Sequence, residues 1–207
     1  MNVLIATTNP GKLKEIRPML AGSPVELATL EAWSALAPPE ETGRTFEENA
    51  RQKARYYSKA TGLVTVAEDS GLEIEALDGA PGVESARYGG VDTPYAEKFR
   101  LIYEALRAAG FPAGSPARFI CALAVADGDR LLFETRGTVE GRLAPAPSGQ
   151  GGFGYDPIFF YPPFGCTLAE AGDRKSEVSH RAMAFRALRQ FLETTTIDAS
   201  LDDLGMP

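Results

Sequence analysis

The sequence predicts an α/β fold in which helices cover the faces of a mixed β-sheet. Short β-branched segments alternate with amphipathic helical segments through the first half of the chain, as in βα units. A long pair of strand-like segments around Asp127-Gly128 indicates a β-hairpin, which adds antiparallel strands. With 207 residues, 44% of them hydrophobic, the chain can bury a substantial core. We therefore expect a single domain over residues 1-207, with two lobes around a cleft.

The N-terminal segments supply the first strand and two helices. The run NVLIA is typical of a strand, and a helix is predicted from Lys12 to Leu20. A longer helix is predicted over TFEENARQKARYYSKATG, where Thr45 and Glu48 have the spacing of an N-terminal capping box. The residues expected on its buried face are Ala50, Ala54 and Tyr57.

The remaining elements follow in the same way. LVTVAED predicts a buried strand, and GLEIEAL alternates apolar residues with glutamates as a half-exposed strand does. A helix is expected to begin at Thr93 and Pro94, run to about Ala109 and stop at Gly110. PIFFY predicts one more strand, and the last helix should span roughly His180 to Leu192. No element is predicted for the acidic tail 195-207.

Composition excludes several classes of function. The 21 Lys and Arg residues are outnumbered by 28 Asp and Glu residues, so the net charge of -7 should repel a nucleic acid. The chain shows no signal sequence and no apolar stretch long enough to cross a membrane, which favours a cytoplasmic protein. Cys121 and Cys166 are expected to be reduced thiols, one buried and one in a loop. With His180 as the only histidine and no C-x-x-C pair, any metal must bind to oxygen.

The turn in ATTNPGKLKEI is a candidate anion site. A strand that passes through a glycine-containing turn into a helix gathers backbone N–H groups and the positive end of the helix dipole. Thr7, Thr8, Asn9 and Gly11 form this turn, and Lys12 adds a full charge. It suits a phosphate group, although it is not the Walker sequence and an ordinary turn is the alternative.

Acidic residues occur at two places where a metal ion could bind. Glu40 and Glu41 lie in the loop PPEETG, and AEDSG places Glu68, Asp69 and Ser70 at the end of an apolar strand. Carboxylates at the end of a strand can hold a hard divalent cation, and a solvated acidic turn is the alternative. Because consecutive strand residues face opposite ways, Glu68 and Asp69 should not share one role.

One lysine, one glycine-rich segment and one basic segment complete the candidate set. Lys53 is expected on the polar face of the capped helix, where a surface lysine is the simpler interpretation. GQGGFG matches G-x-G-x-x-G, but a strand and not a helix follows it, which excludes a dinucleotide fold. This loop presents Phe153 and Asp156, and an aromatic face can stack on a flat ring. RKSEVSHR adds Lys175, His180 and Arg181.

Six segments together resemble a known family. TTNPGK, TFEENARQKA, AEDSGL, DGAPGVESARY, GQGGFGYDPIF and KSEVSHRAMA follow the order and spacing of the inosine triphosphate pyrophosphatase family, over about residues 3 to 192. The resemblance implies an elongated mixed β-sheet with helices on its faces, two lobes around a central substrate cleft, and a homodimer. It also implies Mg²⁺-dependent hydrolysis of inosine, deoxyinosine or xanthosine triphosphate to the monophosphate and pyrophosphate.

The resemblance implies a role for each matching position. Asp69 resembles the catalytic carboxylate and a Mg²⁺ ligand, and Glu40 resembles a further Mg²⁺ ligand. The segment AEAGDRKSE before the S-H-R block is about one residue shorter than is usual in the family. The positions that resemble substrate-binding residues are Thr7, Thr8, Asn9, Pro10, Gly11, Lys12 and Lys53 for the triphosphate, Ser70 beside the substrate, Phe153, Gly154, Tyr155 and Asp156 for the nucleoside, and Lys175, His180 and Arg181 for the base.

Two alternatives stay open from the sequence. A nucleotide sensor would bind the same ligand without hydrolysing it, but it would have less need of the carboxylates Asp69 and Glu40. The related septum-protein-like pyrophosphatases act on pyrimidine or modified nucleotides, and the SHR and FGYD blocks favour the purine family over them.

Overall fold

A computed structural model describes residues 2–111 and 114–203 of the chain. Seven strands and five α-helices follow one another in this part of the protein. The strands are β1 (Asn2–Ile5), β2 (Glu26–Thr29), β3 (Val64–Ile74), β4 (Pro116–Asp127), β5 (Arg130–Leu143), β6 (Phe159–Tyr161) and β7 (Cys166–Thr167). The helices are α1 (Pro10–Met19), α2 (Phe46–Thr61), α3 (Tyr95–Ala108), α4 (Lys175–Val178) and α5 (His180–Asp203).

The seven strands form one mixed sheet in the order β2-β1-β3-β4-β5-β6-β7. β1 pairs in parallel with both β2 and β3. At the other end of the sheet, β6 pairs antiparallel with β5 and with β7. The parallel pairs come from the N-terminal βα units, and β4 and β5 form the hairpin around Gly128, so the predicted mixed α/β fold is confirmed.

Several boundaries differ from the predicted ones for local reasons. α1 begins at Pro10, because proline is favoured in the first helical turn and Asn9 caps the helix. LVTVAED and GLEIEAL form one uninterrupted strand, β3, and not two. Cys166 lies in β7, a two-residue strand that is too short to show a pattern, and β2 was also not predicted. α5 continues to Asp203, so part of the tail 195-207 is helical, whereas residues 204–207 lie outside the described residues.

The chain forms two compact units. The described residues of 1–69, 122–137 and 181–207 belong to unit 1, and those of 70–121 and 138–180 belong to unit 2. Unit 1 buries β1 and the face of α2 that contains the expected Ala50, Ala54 and Tyr57. Unit 2 has a core in which Leu72, Ile102 and Phe159 are fully buried. The arrangement as one domain with two lobes around a cleft stays a prediction.

Helix length and composition bear on membrane insertion. In the described parts of the chain, none of the helices combines the length and the apolar character that spanning a bilayer requires.

Candidate active site

Asp69 is the centre of a hydrogen-bonded network in unit 1. It lies on β3, and its Oδ1 accepts a hydrogen bond from Lys53 Nζ at 2.9 Å. Its Oδ2 accepts one from Asn49 Nδ2 at 3.1 Å. Lys53 Nζ also lies 2.9 Å from Glu41 Oε1, so a single ammonium group bridges two carboxylates.

Lys53 is not a surface lysine, and the interpretation as one is wrong. Its side chain lies on the inward face of α2, and only 9% of the residue is exposed. Positions 50, 53, 54 and 57 are three or four residues apart and therefore share one face of a helix. The charged lysine and the apolar residues of that face are buried together because Asp69 and Glu41 neutralise the ammonium group.

The protonation of this network reflects burial and like charge. Burial raises the pKa of the Asp69 carboxyl, and repulsion from Glu41 raises it further, although Lys53 opposes the shift. Burial disfavours the charged form of Lys53, but attraction to Asp69 and Glu41 outweighs it and raises the pKa of the ammonium group. A carboxylate whose pKa is raised is a better base, and a divalent cation would relieve its repulsion from Glu41.

Glu68 forms a separate network with different partners. Its Oε1 accepts a hydrogen bond from Arg181 Nε at 2.8 Å and lies 3.4 Å from Lys12 Nζ. Arg181 Nη1 in turn donates to Glu15 Oε2 at 2.7 Å. Although burial of Glu68 favours its neutral form, the positive charges of Arg181 and Lys12 hold the pKa of this carboxyl well below its usual range. Glu68 and Asp69 thus contact different cations.

The turn before α1 is ordered by its own side chains. Asn9 Oδ1 accepts hydrogen bonds from the backbone N–H groups of Gly11 at 2.9 Å and Lys12 at 3.2 Å. Thr7 Oγ1 accepts one from the N–H of Asn9 at 3.2 Å. Thr8 and Pro10 are exposed in this turn. A phosphate group at this turn would therefore meet the Lys12 ammonium and the threonine hydroxyls together with backbone N–H groups that already have acceptors.

The two glutamates of the loop before α2 have different environments. Glu41 is half-buried against Lys53, whereas Glu40 is exposed. Within residues 2–111 and 114–203, no group of three His, Cys, Asp or Glu side chains is arranged to hold a metal ion. Mg²⁺ is commonly held by one or two carboxylates together with phosphate oxygens of the substrate. Asp69 and Glu41, which share one ammonium group, fit such a partial ligand set.

The loop around Phe153 is held by a buried carboxylate in unit 2. Asp156 Oδ2 accepts hydrogen bonds from the Phe153 N–H at 2.8 Å and from Lys175 Nζ at 2.5 Å. The Lys175 ammonium lies 4.9 Å from the centroid of the half-buried Phe153 ring. A Cβ atom on Gly152 would come 2.1 Å from Asp156 Oδ2, so only glycine allows the loop to pass this close to the carboxylate.

The other predicted residues of unit 2 have mixed environments. Tyr155 is 3% exposed and its hydroxyl donates to the Ser85 carbonyl at 2.8 Å, so its ring belongs to the core. His180 stacks on Phe119, with ring centroids 4.9 Å apart. Ser70 and Gly154 are half-buried.

Two residues of these networks were missed by sequence reasoning, Glu15 and Asn49. Glu41 was a candidate metal ligand together with Glu40, but its contact with Lys53 was not predicted. Asn49 had a detectable signal, because it lies four residues before Lys53 on the inward face of α2. Glu15 had none, since its partner Arg181 is distant in the sequence.

Comparison with known proteins gives one consistent result. The sequence model described as the Ham1 family matches residues 3–191. A protein of Thermus thermophilus named dITP/XTP pyrophosphatase is 47% identical over 91% of this chain and 90% of its own length. A Listeria monocytogenes protein of the same name is 44% identical over 92% of this chain and 94% of its own. The solved structure of a HAM1 protein from Coxiella burnetii has a TM-score of 0.86 at 38% identity, covering 93% of this chain and 98% of that one.

Proposed function

Because this chain belongs to the Ham1 family, we propose that it hydrolyses non-standard purine nucleoside triphosphates to the monophosphate and pyrophosphate. The substrates are inosine, deoxyinosine and xanthosine triphosphates, in line with the names of relatives that share up to 47% of its residues. One structural observation carries the proposal: Asp69, a buried carboxylate with a raised pKa, lies 2.9 Å from the ammonium group of Lys53.

This arrangement suits the cleavage of a phosphoanhydride bond. Attack of water on the α-phosphorus builds negative charge on the phosphate oxygens, which Lys53 and Lys12 can stabilise. Asp69 would bind the metal ion or accept a proton from the attacking water. Thr7 to Lys12 would bind the triphosphate together with Lys53, and Ser70 would lie beside the substrate.

Mg²⁺ is the proposed cofactor, and the donor set fits it. When bound, it would polarise phosphate oxygens and lower the pKa of a bound water. Asp69 would supply one ligand. The second would come from the loop before α2, where the resemblance implies Glu40 and the contact to Lys53 favours Glu41.

The nucleoside would bind to the loop that contains Phe153. Its ring would stack on the base, and Gly154, Tyr155 and Asp156 would shape the loop. Lys175, His180 and Arg181 would read the base. A keto oxygen at position 6 accepts hydrogen bonds from Lys175 or Arg181, whereas the amino group of adenine cannot. Adenosine triphosphate is therefore expected to be a poor substrate.

The cellular context follows from the same proposal. We infer a cytoplasmic homodimer that acts on small-molecule nucleotides and binds neither nucleic acid nor membranes. Sedimentation analysis should then give twice the chain mass of 22.2 kDa.

The decisive experiment is a pyrophosphate-release assay across a panel of nucleoside triphosphates. Inosine, deoxyinosine and xanthosine triphosphates should release pyrophosphate with Mg²⁺ present, and adenosine triphosphate should release far less. Release of mainly orthophosphate would contradict cleavage at the α-phosphorus. A preference for pyrimidine nucleotides would favour the septum-protein-like alternative, and binding without hydrolysis would favour the sensor.

Substitution of the carboxylates tests the proposed metal site. Asp69→Asn should lower turnover by at least ~100-fold, because a metal ligand or base is lost. Glu40→Gln and Glu41→Gln are a matched pair, and the one that raises the Mg²⁺ concentration needed for half-maximal activity identifies the second ligand. Normal Mg²⁺ dependence in both would show that this loop does not bind the metal.

A further inference from the structure

Lys98 of α3 is a buried cation that the proposed reaction does not use. Only 2% of the residue is exposed, and in the described part of the chain no carboxylate forms an ion pair with it. Its Nζ donates to the Ala86 carbonyl at 2.5 Å and lies 3.5 Å from the Ser85 carbonyl. Burial lowers the pKa of this ammonium group. The cation also lies 4.9 Å from the centroid of the Tyr95 ring, an attractive cation–π distance.

Tyr95 is held in place by several neighbours and is still accessible. Besides Lys98, its ring meets the Tyr155 ring edge-on at 5.2 Å and an interplanar angle of 89°, and the Phe99 ring at 6.2 Å. Nevertheless 39% of the residue is exposed. A ring that is already fixed loses little conformational freedom when it binds a ligand.

The hydroxyl end of Tyr95 lies beside the loop around Phe153. A Cβ atom built on Gly154 would be 3.6 Å from Tyr95 Oη, and Gly154 has a φ of +67° that favours glycine. Burial, reinforced by the negative charge of Asp156, raises the pKa of Tyr95, so the hydroxyl keeps its proton and can donate it. Within residues 2–111 and 114–203, Tyr95 Oη has no hydrogen-bond partner.

We propose that Tyr95 is a further substrate-contacting residue, whose hydroxyl forms a hydrogen bond with the nucleoside bound at the Phe153 loop. The inference rests on the proposed function for the identity of the ligand. It follows from three features of unit 2: a ring that contacts Lys98, Tyr155 and Phe99, the exposure of 39% of the residue, and the position of its hydroxyl next to Gly154.

The test compares two tyrosines of the same helix. Tyr95→Phe removes the hydroxyl of the exposed tyrosine, and Tyr103→Phe removes that of a half-buried tyrosine, which donates to the Ala144 carbonyl at 3.0 Å. Binding of inosine monophosphate, inosine and pyrophosphate is measured by calorimetry, because none of these needs hydrolysis. Tyr95→Phe should bind the monophosphate and inosine about 3- to 10-fold more weakly, as expected for one hydrogen bond, and pyrophosphate as the wild type does. KM for inosine triphosphate should rise with kcat unchanged.

Tyr103→Phe is the control variant. It should bind all three probes as the wild type does and show only a lower Tm. Equal affinity of wild type and Tyr95→Phe for inosine, or an equal loss for pyrophosphate, would overturn the role of Tyr95. A wild type that binds the monophosphate but hydrolyses no triphosphate would overturn the proposed function alone. A wild type that binds no inosine compound would overturn both.

Discussion

Glu68 shows how a single buried charge organises the side chains around Lys12 in unit 1. It is 4% exposed and contacts both Lys12 and Arg181, so it joins the turn before α1 to the first turn of α5. A buried carboxylate between two cations is held ionised by them, and removing its charge leaves a buried arginine without its full partner. Glu68 therefore supports the position of Lys12 and does not compete with Asp69 for the same role.

We expect Glu68→Gln to be destabilised by about 3 kcal/mol at pH 7, since breaking a buried ion pair leaves an uncompensated charge. The pH dependence has a defined sign. The pKa of Glu68 is lowered on folding, so its stabilising effect is complete above the unfolded-state value near ~4.3 and is lost as the pH falls towards the folded-state value. When the pH is lowered from 7 to 4, the free energy of unfolding measured with urea should therefore fall less for Glu68→Gln than for the wild type.

The exposed pair of Glu193 and Arg189 provides the control. Its atoms are 2.8 Å apart, but both side chains are more than one-third exposed. Glu193→Gln should change the free energy of unfolding by less than about 1 kcal/mol. If Glu68→Gln behaved like this control, the buried network would not stabilise the fold.

At the scale of the element, α2 determines where Lys53, the proposed triphosphate contact, lies. Thr45 Oγ1 accepts a hydrogen bond from the Glu48 N–H at 3.1 Å, as the capping box predicts. The reciprocal bond differs, because Glu48 Oε2 accepts from the Arg44 N–H at 2.6 Å and not from Thr45. The helix ends at Gly62, whose φ of +71° suits a left-handed cap.

Thr45→Ala is expected to lower the free energy of unfolding by about 1 kcal/mol, because an N–H group of the first turn loses its acceptor. Thr194→Ala on α5 is the control. Its hydroxyl donates to the Gln190 carbonyl at 2.9 Å within the helix, a bond whose loss should be nearly neutral. Chemical denaturation measures both, and equal destabilisation by the two changes would contradict the importance of the cap.

At the scale of the whole molecule, negative charge outweighs positive charge. The chain has a net charge of -7, and the same imbalance recurs in unit 1. There the three cations Lys12, Lys53 and Arg181 contact four carboxylates, those of Glu15, Glu41, Glu68 and Asp69. A triphosphate, with up to four negative charges, that bound at Lys12 and Lys53 would therefore meet ammonium groups whose charge carboxylates already neutralise.

This charge balance predicts that the metal ion is needed for binding as well as for turnover. Removing divalent cations with a chelator should weaken binding of inosine triphosphate to the wild type by at least ~10-fold, as expected for the loss of a dominant local charge. Asp69→Asn, which removes one negative charge, should bind the triphosphate better than the wild type under these conditions. Calorimetry without metal measures both, and unchanged affinity of the wild type would contradict the prediction.

The sequence by itself determined the fold class, the family and most of the elements. Periodicity sufficed for α2, α3 and the β4-β5 hairpin because each is long and its pattern is set by local geometry. The motifs sufficed for the family, since the match extends over residues 3–191. Short elements such as β2 and β7 escaped prediction because a few residues contain no period, and they form only by pairing with a neighbouring strand.

Only the tertiary structure decided how the charged residues are paired. Lys53 looks like a surface lysine until Asp69, on β3, and Glu41, in a loop, are seen on its ammonium group. In the same way, Arg181 meets Glu15 and Glu68 across more than one hundred residues of sequence. A buried charge is stable only where opposite charges surround it, and which charges those are depends on contacts between distant segments.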